Sequence, residues 1–450
     1  MEGREWRFAL TISAAHGMDH FLKRVFPPLV PIWAVAFGFP LWKLGVILGA
    51  RSFGSAIGQA PMGHLSDRFD RRLVLPAGIA LMGVSFVAFA TLPHLPLLDF
   101  ELSVAGLSLS GQFVGMLLAM VAAGLGSSTL HPTGYPLISQ NVSEARKGKV
   151  LGMWGSARAF GDGAAPALVG IALLVAGWGP ILVGFGLLGV AYAGYLYVVL
   201  GAFETRPPDR VETDERTGTG AGAGTGTETT GDAPDLWRGD RRRYVYPMLA
   251  VFAAFVLQIT ATTGVNVFLP EFITSEYSYS LSLAGVTVTP ASTASFYYSA
   301  LLLTAGVVQL GTGELVDRYD HRKVLVGFLA AGALVLLVLA TGAFSPLVLF
   351  GVLLLLGASL WGLNPARDAI VSDIAPAAHE GRTFGYLWTG ALLLASASPA
   401  VVGYIGDVAG LRQAFAILAG IVFLSVIPIA LLLSDRVYSD SRATDPAGGD

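Results

Sequence analysis

Twelve stretches of mostly apolar residues run along the chain, parted by short polar breaks, at about 7–36, 41–62, 73–93, 112–138, 149–176 and 179–202, then at about 244–270, 289–312, 323–344, 346–371, 383–406 and 412–434. A hydrocarbon core of ~30 Å is crossed by about 20 apolar helical residues. Each stretch therefore predicts one membrane helix, six before a polar interval and six after it. The interval, 204–243, carries alternating Gly, Thr and Ala from Thr217 onward and has nothing with which to build a core. The pattern divides the chain into a first six-helix bundle at 1–203, a flexible cytoplasmic linker at 204–243, a second bundle at 244–434 and a disordered cytoplasmic tail at 435–450.

The halves repeat one another. His131-Pro132 in the fourth stretch is echoed by Asn364-Pro365 in the tenth, Gly148 by Gly381, Gly152 by Gly385, Pro166 by Pro399 and Gly170 by Gly403, each pair 233 residues apart. Five matches at one offset exceed what scattered Gly and Pro supply by chance. Many stretches are crowded with Gly and Ala, and small residues let membrane helices approach closely where lipid provides no hydrophobic drive to associate. The expected fold class is an all-α integral membrane protein with twelve transmembrane helices in two pseudo-symmetric six-helix bundles. Duplicated halves facing a shared midplane are the usual build of a secondary transporter.

Composition sharpens this picture. Of 450 residues 54% are hydrophobic and 13% charged, against roughly a quarter charged in soluble domains. The net charge of −3 gives no reason to expect nucleic-acid binding. The chain has no cysteine, which excludes disulfides, thiolate metal sites and cysteine nucleophiles. Its first residues are polar and lack the pattern of a cleaved signal peptide, so the first stretch is expected to be retained. Arginine outnumbers lysine 23 to 5, a bias that suits a GC-rich, salt-loving prokaryote.

Topology follows from the basic residues. Arg68, Arg71, Arg72, Arg146, Lys147, Lys149, Arg241, Arg242, Arg243, Arg318, Arg322, Lys323 and Arg382 fall in alternate loops, with Lys43 and Arg412 the exceptions. Positive loops stay inside, so both termini are expected in the cytoplasm of a multi-pass plasma-membrane protein.

One loop motif occurs twice. Gly63-His-Leu65-Ser-Asp67-Arg68-Phe-Asp70-Arg71-Arg72 follows the second stretch, and Gly313-Glu-Leu315-Val-Asp317-Arg318-Tyr-Asp320-His-Arg322-Lys323 follows the eighth. Their offset of 250 exceeds 233 by 17, which predicts an insertion near 93–110 in the first half. Each motif resembles the cytoplasmic signature G-x-L-x-D-R-x-G-R-R of the major facilitator superfamily. In that family the motif latches the cytoplasmic side closed. The resemblance implies a gate set of Gly63, Asp67, Arg68, Arg71, Arg72, Gly313, Asp317 and Arg318. Both copies replace the second glycine with Asp70 and Asp320, residues that tolerate a left-handed turn. Within the superfamily, Ser127-Ser128-Thr-Leu-His131-Pro132-Thr-Gly134 resembles an element of the fosmidomycin-resistance group of drug exporters. His16 and Pro31 also fit its first helix, although its acid is shifted here to Asp19. Gly161 to Gly170 is similar to an antiporter motif, with Ala165 in place of a Gly.

Ionisable side chains deep in a membrane are costly and mark function. At ~1.5 Å per residue, Asp19 lies about 18 Å beyond Arg7 and Arg158 about 14 Å beyond Lys149, so both fall near the midplane. His16, Asp19 and Lys23 share one helix face, and His20 and Arg24 share the next. Arg158 and Asp162, four apart, are expected to pair. With Arg51, His131, Gln258, Asn266, Trp361 and Asn364, these residues predict a polar cavity for substrate or proton. Asp19, tuned by His16 or His20, is the candidate proton carrier, and Arg51 and Arg158 are candidates to meet an anionic group. Gln309 belongs with the polar positions of the second half.

The function expected is a monomeric secondary transporter working by alternating access, exporting a small organic solute in exchange for protons and needing no cofactor. Uptake of a small organic anion is the alternative. No phosphate-binding G-x-x-x-x-G-K-[ST] loop supports an ATP-driven pump. A zinc enzyme built on His16, Asp19 and His20 has the outline of H-x-x-E-H but lacks an evident third ligand. A transporter-like sensor would need a signalling domain, and the linker is short and featureless.

Overall fold

The structure is a computed structural model that describes residues 3–104, 106–207, 245–283, 286–374 and 380–434. Apart from 204–207, the linker lies outside these residues, as do Arg241, Arg242, Arg243 and the tail; the side chain of Arg382 is likewise not described.

In the first half α1 (Gly3–Arg24), a 3-10 turn at Pro27–Leu29 and α2 (Val30–Phe37) form one broken crossing, followed by α3 (Leu41–Arg68) and α4 (Arg71–Thr91). The fourth crossing is split into α5 (Gly111–Ser127) and α6 (Leu130–Asn141), and α7 (Glu144–Ala172) and α8 (Trp178–Leu200) complete the half. The second half runs α9 (Val245–Tyr277), α10 (Pro290–Arg318), α11 (His321–Thr341), the split pair α12 (Pro346–Leu360) and α13 (Asn364–Ile374), the split pair α14 (Glu380–Ala395) and α15 (Ser398–Ala409), and α16 (Leu411–Leu431). Twelve crossings in two pseudo-symmetric six-helix bundles result. The breaks have local causes. Pro27 and Pro28 supply no backbone N–H and interrupt the first crossing. The fourth and tenth crossings break at equivalent places, just before His131-Pro132 and Asn364-Pro365.

Two β-hairpins decorate this helical frame. Strand β1 (Glu101–Val104) pairs antiparallel with β2 (Leu107–Ser110), and β3 (Leu281–Leu283) with β4 (Val286–Val288). The first lies where the difference between the two repeat offsets predicts an insertion. Both sit at the same end of the molecule, called here the hairpin end; the end carrying the duplicated motifs is the basic end.

Among the described residues, nine helices or split pairs are long and apolar enough by themselves to cross a membrane, and the crossings formed by α1–α2, α3 and α7 are not among them. Those three carry Asp19, Lys23, Arg51, Arg158 and Asp162, and they hold these groups inside the protein rather than toward lipid. The opposite case is the outer surface, where Leu334 in the middle of α11 is 62% and Phe423 in the middle of α16 60% exposed, apolar positions that lipid covers favourably.

The two cations at the hairpin end have different partners, a carboxylate for one and aromatic rings for the other. Arg412 Nε lies 2.6 Å from Glu276 Oε2. Lys43 Nζ lies over the rings of Phe39, Trp42 and Phe113 at 5.6 to 5.8 Å.

Candidate functional site

The charged cluster is built on α1 and α7, whose backbones touch. A Cβ on Gly161 would sit 2.2 Å from the Gly17 carbonyl oxygen, and one on Gly17 would sit 3.0 Å from that of Ala157. Only glycine permits this approach. It brings two carboxylates into one neighbourhood with different partners. Asp162 Oδ1 accepts from Arg24 Nε at 2.7 Å and faces His20 Nδ1 at 3.1 Å. Asp19 is 1% exposed and has Lys23 Nζ at 2.5 Å from Oδ2. That contact is an ion pair by distance but is off the angle of a hydrogen bond, and neither Asp19 oxygen accepts one from the described residues.

The Asp19–Lys23 pair thus forms as helical spacing predicts. The Arg158–Asp162 pair does not: Asp162 is claimed by Arg24 and His20, and Arg158 has no carboxylate within 4.0 Å among the described residues. The reason is tertiary, since α1 offers Asp162 a cation and an imidazole from across the helix contact, and both outcompete the neighbour one turn away. Arg51 is also without a hydrogen bond or ion pair among the described residues, although it feels the charges of Arg24, Asp19 and Asp162. Two half-buried guanidinium groups are left available.

Around them lies a ring of imidazole and indole. His16 Nδ1 is 2.9 Å from the Trp154 carbonyl oxygen, and its ring centroid is 4.9 Å from that of His20, 5.4 Å from His131 and 4.2 Å from Trp154. Buried polar atoms without a partner gather here: His16 Nε2, His131 Nδ1 and Trp154 Nε1, beside both oxygens of Asp19. No group of three side chains among the described residues converges as a metal site. His16 is turned to a backbone carbonyl and His20 to Asp162, which gives the zinc outline no geometry.

The second half meets this cluster through Tyr298 on α10. Arg24 Nη1 donates to Tyr298 Oη at 2.9 Å, and Tyr298 Oη donates to Asn266 Oδ1 at 3.2 Å. The other second-half positions lie apart from the charges. Gln258 is buried, with Nε2 3.4 Å from the Leu360 carbonyl and Oε1 unpartnered. The Trp361 side chain is packed into the core, and its carbonyl receives Gln309 Nε2 at 3.0 Å. Asn364 begins α13 and is half-buried. Thus only Asn266 of these residues is linked to the charged centre. Arg24, Tyr298 and Trp154 belong to the site and are absent from the candidate set; the shared face of His20 and Arg24 is the one sequence signal for Arg24, and Tyr298 has none.

The duplicated motifs differ from expectation in two ways. Residues through Arg68 and Arg318 are helical, the last turns of α3 and α10, and not loops. Asp70 and Asp320 take φ of −56° and −55°, not the left-handed turn, and each carboxylate accepts the N–H two residues on at 2.9 Å. They replace glycine as N-caps of α4 and α11. The Arg322 guanidinium hydrogen-bonded to Asp320 holds that carboxyl below its usual pKa. Arg72 and Arg322 turn away from the other bundle and donate to carbonyls near the end of their own half's last helix, at Tyr197 and Leu432, both at 2.8 Å. Arg72 is accordingly an anchor within the first half. Arg71 is buried, its Nε 3.2 Å from Ser66 Oγ and its Nη2 3.9 Å from Asp67. A Cβ on Gly63 would have room beside Pro132, and one on Gly313 would meet no described atom of another element within 4 Å. Asp67, Arg68, Asp317 and Arg318 are exposed.

The two ends of the molecule differ. At the hairpin end the bundles touch backbone to backbone: Cβ atoms on Gly45, Gly49 and Gly403 would lie 2.1, 2.3 and 2.4 Å from the carbonyl oxygens of Pro399, Ser396 and Leu41. Toward the basic end, Gly148, Gly152 and Gly155 of α7, Gly311 and Gly313 of α10 and Gly385 of α14 have no described atom within 4 Å of such a Cβ. The seam between bundles is shut at one end and parted at the other, with the charged cluster between.

Comparison with known proteins places this arrangement. The family model of the Major Facilitator Superfamily matches residues 12–298 and 251–449. The "Probable L-galactonate transporter" of Escherichia coli strain K12 is 23% identical over 379 residues, 82% of this chain and 76% of that protein. The "Uncharacterized MFS-type transporter YfnC" of Bacillus subtilis strain 168 is 21% identical, covering 95% and 93%. Among solved structures, a bacterial homologue of the human lysosomal transporter Spinster, inward-facing and occupied, superposes with a TM-score of 0.71 at 12% identity, over 97% of this chain and 98% of that one. The xylose transporter XylE from E. coli, inward open, gives 0.68 at 14% identity over 96% of both chains. At such identities the structures speak to the fold, and the family match speaks to descent: the chain belongs to the Major Facilitator Superfamily of membrane transporters.

Proposed function

We propose that this transporter moves a small organic anion by alternating access, coupled to protons. The observation that carries the reading is the pair Arg51 and Arg158, two arginines inside the bundle with no carboxylate within 4.0 Å among the described residues. A guanidinium half-withdrawn from water and left unpaired carries part of the cost of a buried charge, and an anionic substrate group would offset it with charge-assisted hydrogen bonds. Asp19 is the proton site in this reading. Among the described residues Lys23 is its close ion-pair partner, with His20 Nε2 farther off at 4.0 Å, and neither carboxylate oxygen accepts a well-formed hydrogen bond, so protonation breaks chiefly one ion pair. Asp162, held by Arg24 and His20, is the static anion.

In this proposal residues 1–203 and 244–434 are the two moving bundles. The basic end is cytoplasmic, with both termini inside, so the conformation described is the inward-open one. A monomer in the plasma membrane of a prokaryote, of halophilic type by its arginine excess, suffices. The resemblance of the first, fourth and fifth crossings to the fosmidomycin-resistance group makes the direction export by proton exchange. Uptake has one observation in its favour. A proton arriving on Asp19 would free Lys23 to meet an anion, which ties proton and substrate to the same passage; the relative named for L-galactonate is also named for a carboxylate.

The test uses purified protein with L-galactonate and fosmidomycin as anionic probes beside a set of neutral and cationic drugs. Anions are expected to raise the melting temperature, and Arg51→Gln or Arg158→Gln to raise about tenfold the anion concentration needed for the same shift, the loss of one charged hydrogen bond. Stabilisation by cations or neutral drugs alone, undiminished in either variant, would remove the anion reading. Everted vesicles then fix direction: substrate-driven proton movement out of the vesicle means exchange, and movement inward with substrate means co-transport.

A further inference from the structure

We infer that Asp407 is the latch of the hairpin end, the reciprocal partner of Asp67 at the basic end. Asp407 sits near the C-terminal end of α15, and its two carboxylate oxygens accept the backbone N–H groups of Leu41 and Trp42, at 2.8 and 2.9 Å. Those N–H groups open α3, which belongs to the other bundle. The first N–H groups of a helix have no partner within it and sit at the positive end of its dipole, so a carboxylate there gains both hydrogen bonds and charge. The contact is bidentate, and it lies at the end of the seam where Gly45, Gly49 and Gly403 let α3 and α15 meet backbone to backbone.

The arrangement has a counterpart at the opposite end of the molecule. Asp67 stands in the last turn of α3, as Asp407 stands in the last turns of α15. Each carboxylate lies at the C-terminal end of a helix in one bundle. Both carboxylates are exposed in the conformation described, but Asp407 is engaged at both oxygens, while Asp67 has only Arg71, at 3.9 Å, as an ion-pair partner among the described residues. One latch is shut and the other is free. In the opposite conformation the roles exchange: Asp407 gives up the α3 N-terminus to water, and Asp67 engages its own partner across the basic end. Asp407 is thus a positioning residue that sets how often the hairpin end opens, without touching substrate.

This inference rests on alternating access, and one preparation separates the two. The chain has no cysteine, so Ser295→Cys provides a single reporter. Ser295 is fully buried on α10, and its Cβ lies 3.1 Å from where a Gly170 side chain would begin, inside the shut seam. The rate of maleimide labelling is read in nanodiscs, where both faces are accessible and membrane orientation does not matter. Asp407→Ala is expected to speed labelling about tenfold, in line with the loss of charged hydrogen bonds. Asp407→Asn falls between, because an amide keeps an acceptor oxygen and loses the charge; it decides the matter if the alanine variant does not fold. Asp67→Asn should slow labelling, as alternating access requires, and adding it to Asp407→Ala should bring the rate back toward the parent's, a compensation that mere loosening by a structural Asp407 would not give. Parent labelling, divided at each pH by the rate of the same variant unfolded in denaturant to remove the reagent's dependence on thiolate, is expected to respond to pH as conformers exchange. A normalised pH response with Asp407 variants within twofold of the parent overturns the latch and leaves alternating access standing. No response on that normalised scale to pH, Asp67 or Asp407 overturns both.

Discussion

Two carboxylates, Asp19 and Asp162, sit near each other in one bundle and differ in what holds them. Asp162 has Arg24 at 2.7 Å and His20 at 3.1 Å, whereas Asp19 has Lys23 at 2.5 Å and His20 only at 4.0 Å. Removing one partner of a buried charge pair costs roughly 3–5 kcal/mol, since the other charge is left uncompensated. Asp162→Asn is therefore expected to lower thermal stability by an amount of that order, seen as a lower melting temperature in detergent. Asp19→Asn strands a lysine whose flexible stem lets it reach water along the parted seam, so its stability loss is smaller. Its effect falls on coupling instead: proton-driven accumulation is lost while equilibrium exchange of substrate persists. The opposite pattern, with Asp162→Asn stable and uncoupled, would exchange the two roles. Helical spacing made the Asp19–Lys23 contact legible in sequence. The same rule fails at Asp162 because its partner comes from α1 through a glycine contact between Gly17 and Gly161, and no local pattern encodes which face of α7 meets which face of α1.

At the scale of elements, the twelve crossings were legible because each has to be long and apolar, and the structural ends lie within a few residues of the expected ones over most of the chain. The larger departures are informative. Helices α3 and α10 run on through Asp67 and Asp317, since nothing in Gly63 to Arg68 or Gly313 to Arg318 ends a helix before Asp70 and Asp320 cap the next one. The insertion near residue 100 was legible from the repeat offsets alone, but its hairpin was not. Glycines likewise signalled close packing without saying where. The structure sorts them. Gly45→Ala would place its methyl carbon 2.1 Å from the Pro399 carbonyl oxygen, a backbone atom that can yield only if α3 and α15 separate. Overpacking of this kind costs about 1–3 kcal/mol. Gly152→Ala adds the same methyl on α7 with no described atom within 4 Å and should be neutral or slightly stabilising, as alanine favours helix by about 1 kcal/mol over glycine. Melting curves of the two variants side by side are the check. Equal loss at both positions would mean that the seam between α3 and α15 does not support this conformation.

For the whole molecule, the charge is unevenly divided. Asp19, Lys23, Arg24, Arg51, Arg158 and Asp162 all belong to the first bundle, and the second contributes Tyr298 and Asn266 to the same network. This asymmetry suits a device in which one half holds proton and substrate while the other closes over them. The sequence displays the asymmetry but not which end is open, because that depends on seams whose energies differ by a few kcal/mol at most. A minor conformer at such a difference is populated at on the order of 0.1–10%, and its geometry is constrained by the rigidity of each bundle. If the halves rock about the charged centre, gaps at the two ends must change in opposite senses. Spin labels at Gly152→Cys and Gly385→Cys report the basic end; labels at Phe39→Cys and Val408→Cys report the hairpin end. Each pair spans the two bundles, and the cysteine-free chain needs no other change. As pH or an anionic substrate shifts the equilibrium, the population with a short basic-end distance should rise in step with the population with a long hairpin-end distance. Equal titration midpoints are the signature of one rigid exchange. If the basic end closes while the hairpin-end distribution stays fixed, the bundles do not rock as units, and the shut seam around Gly45 and Gly403 is a permanent hinge.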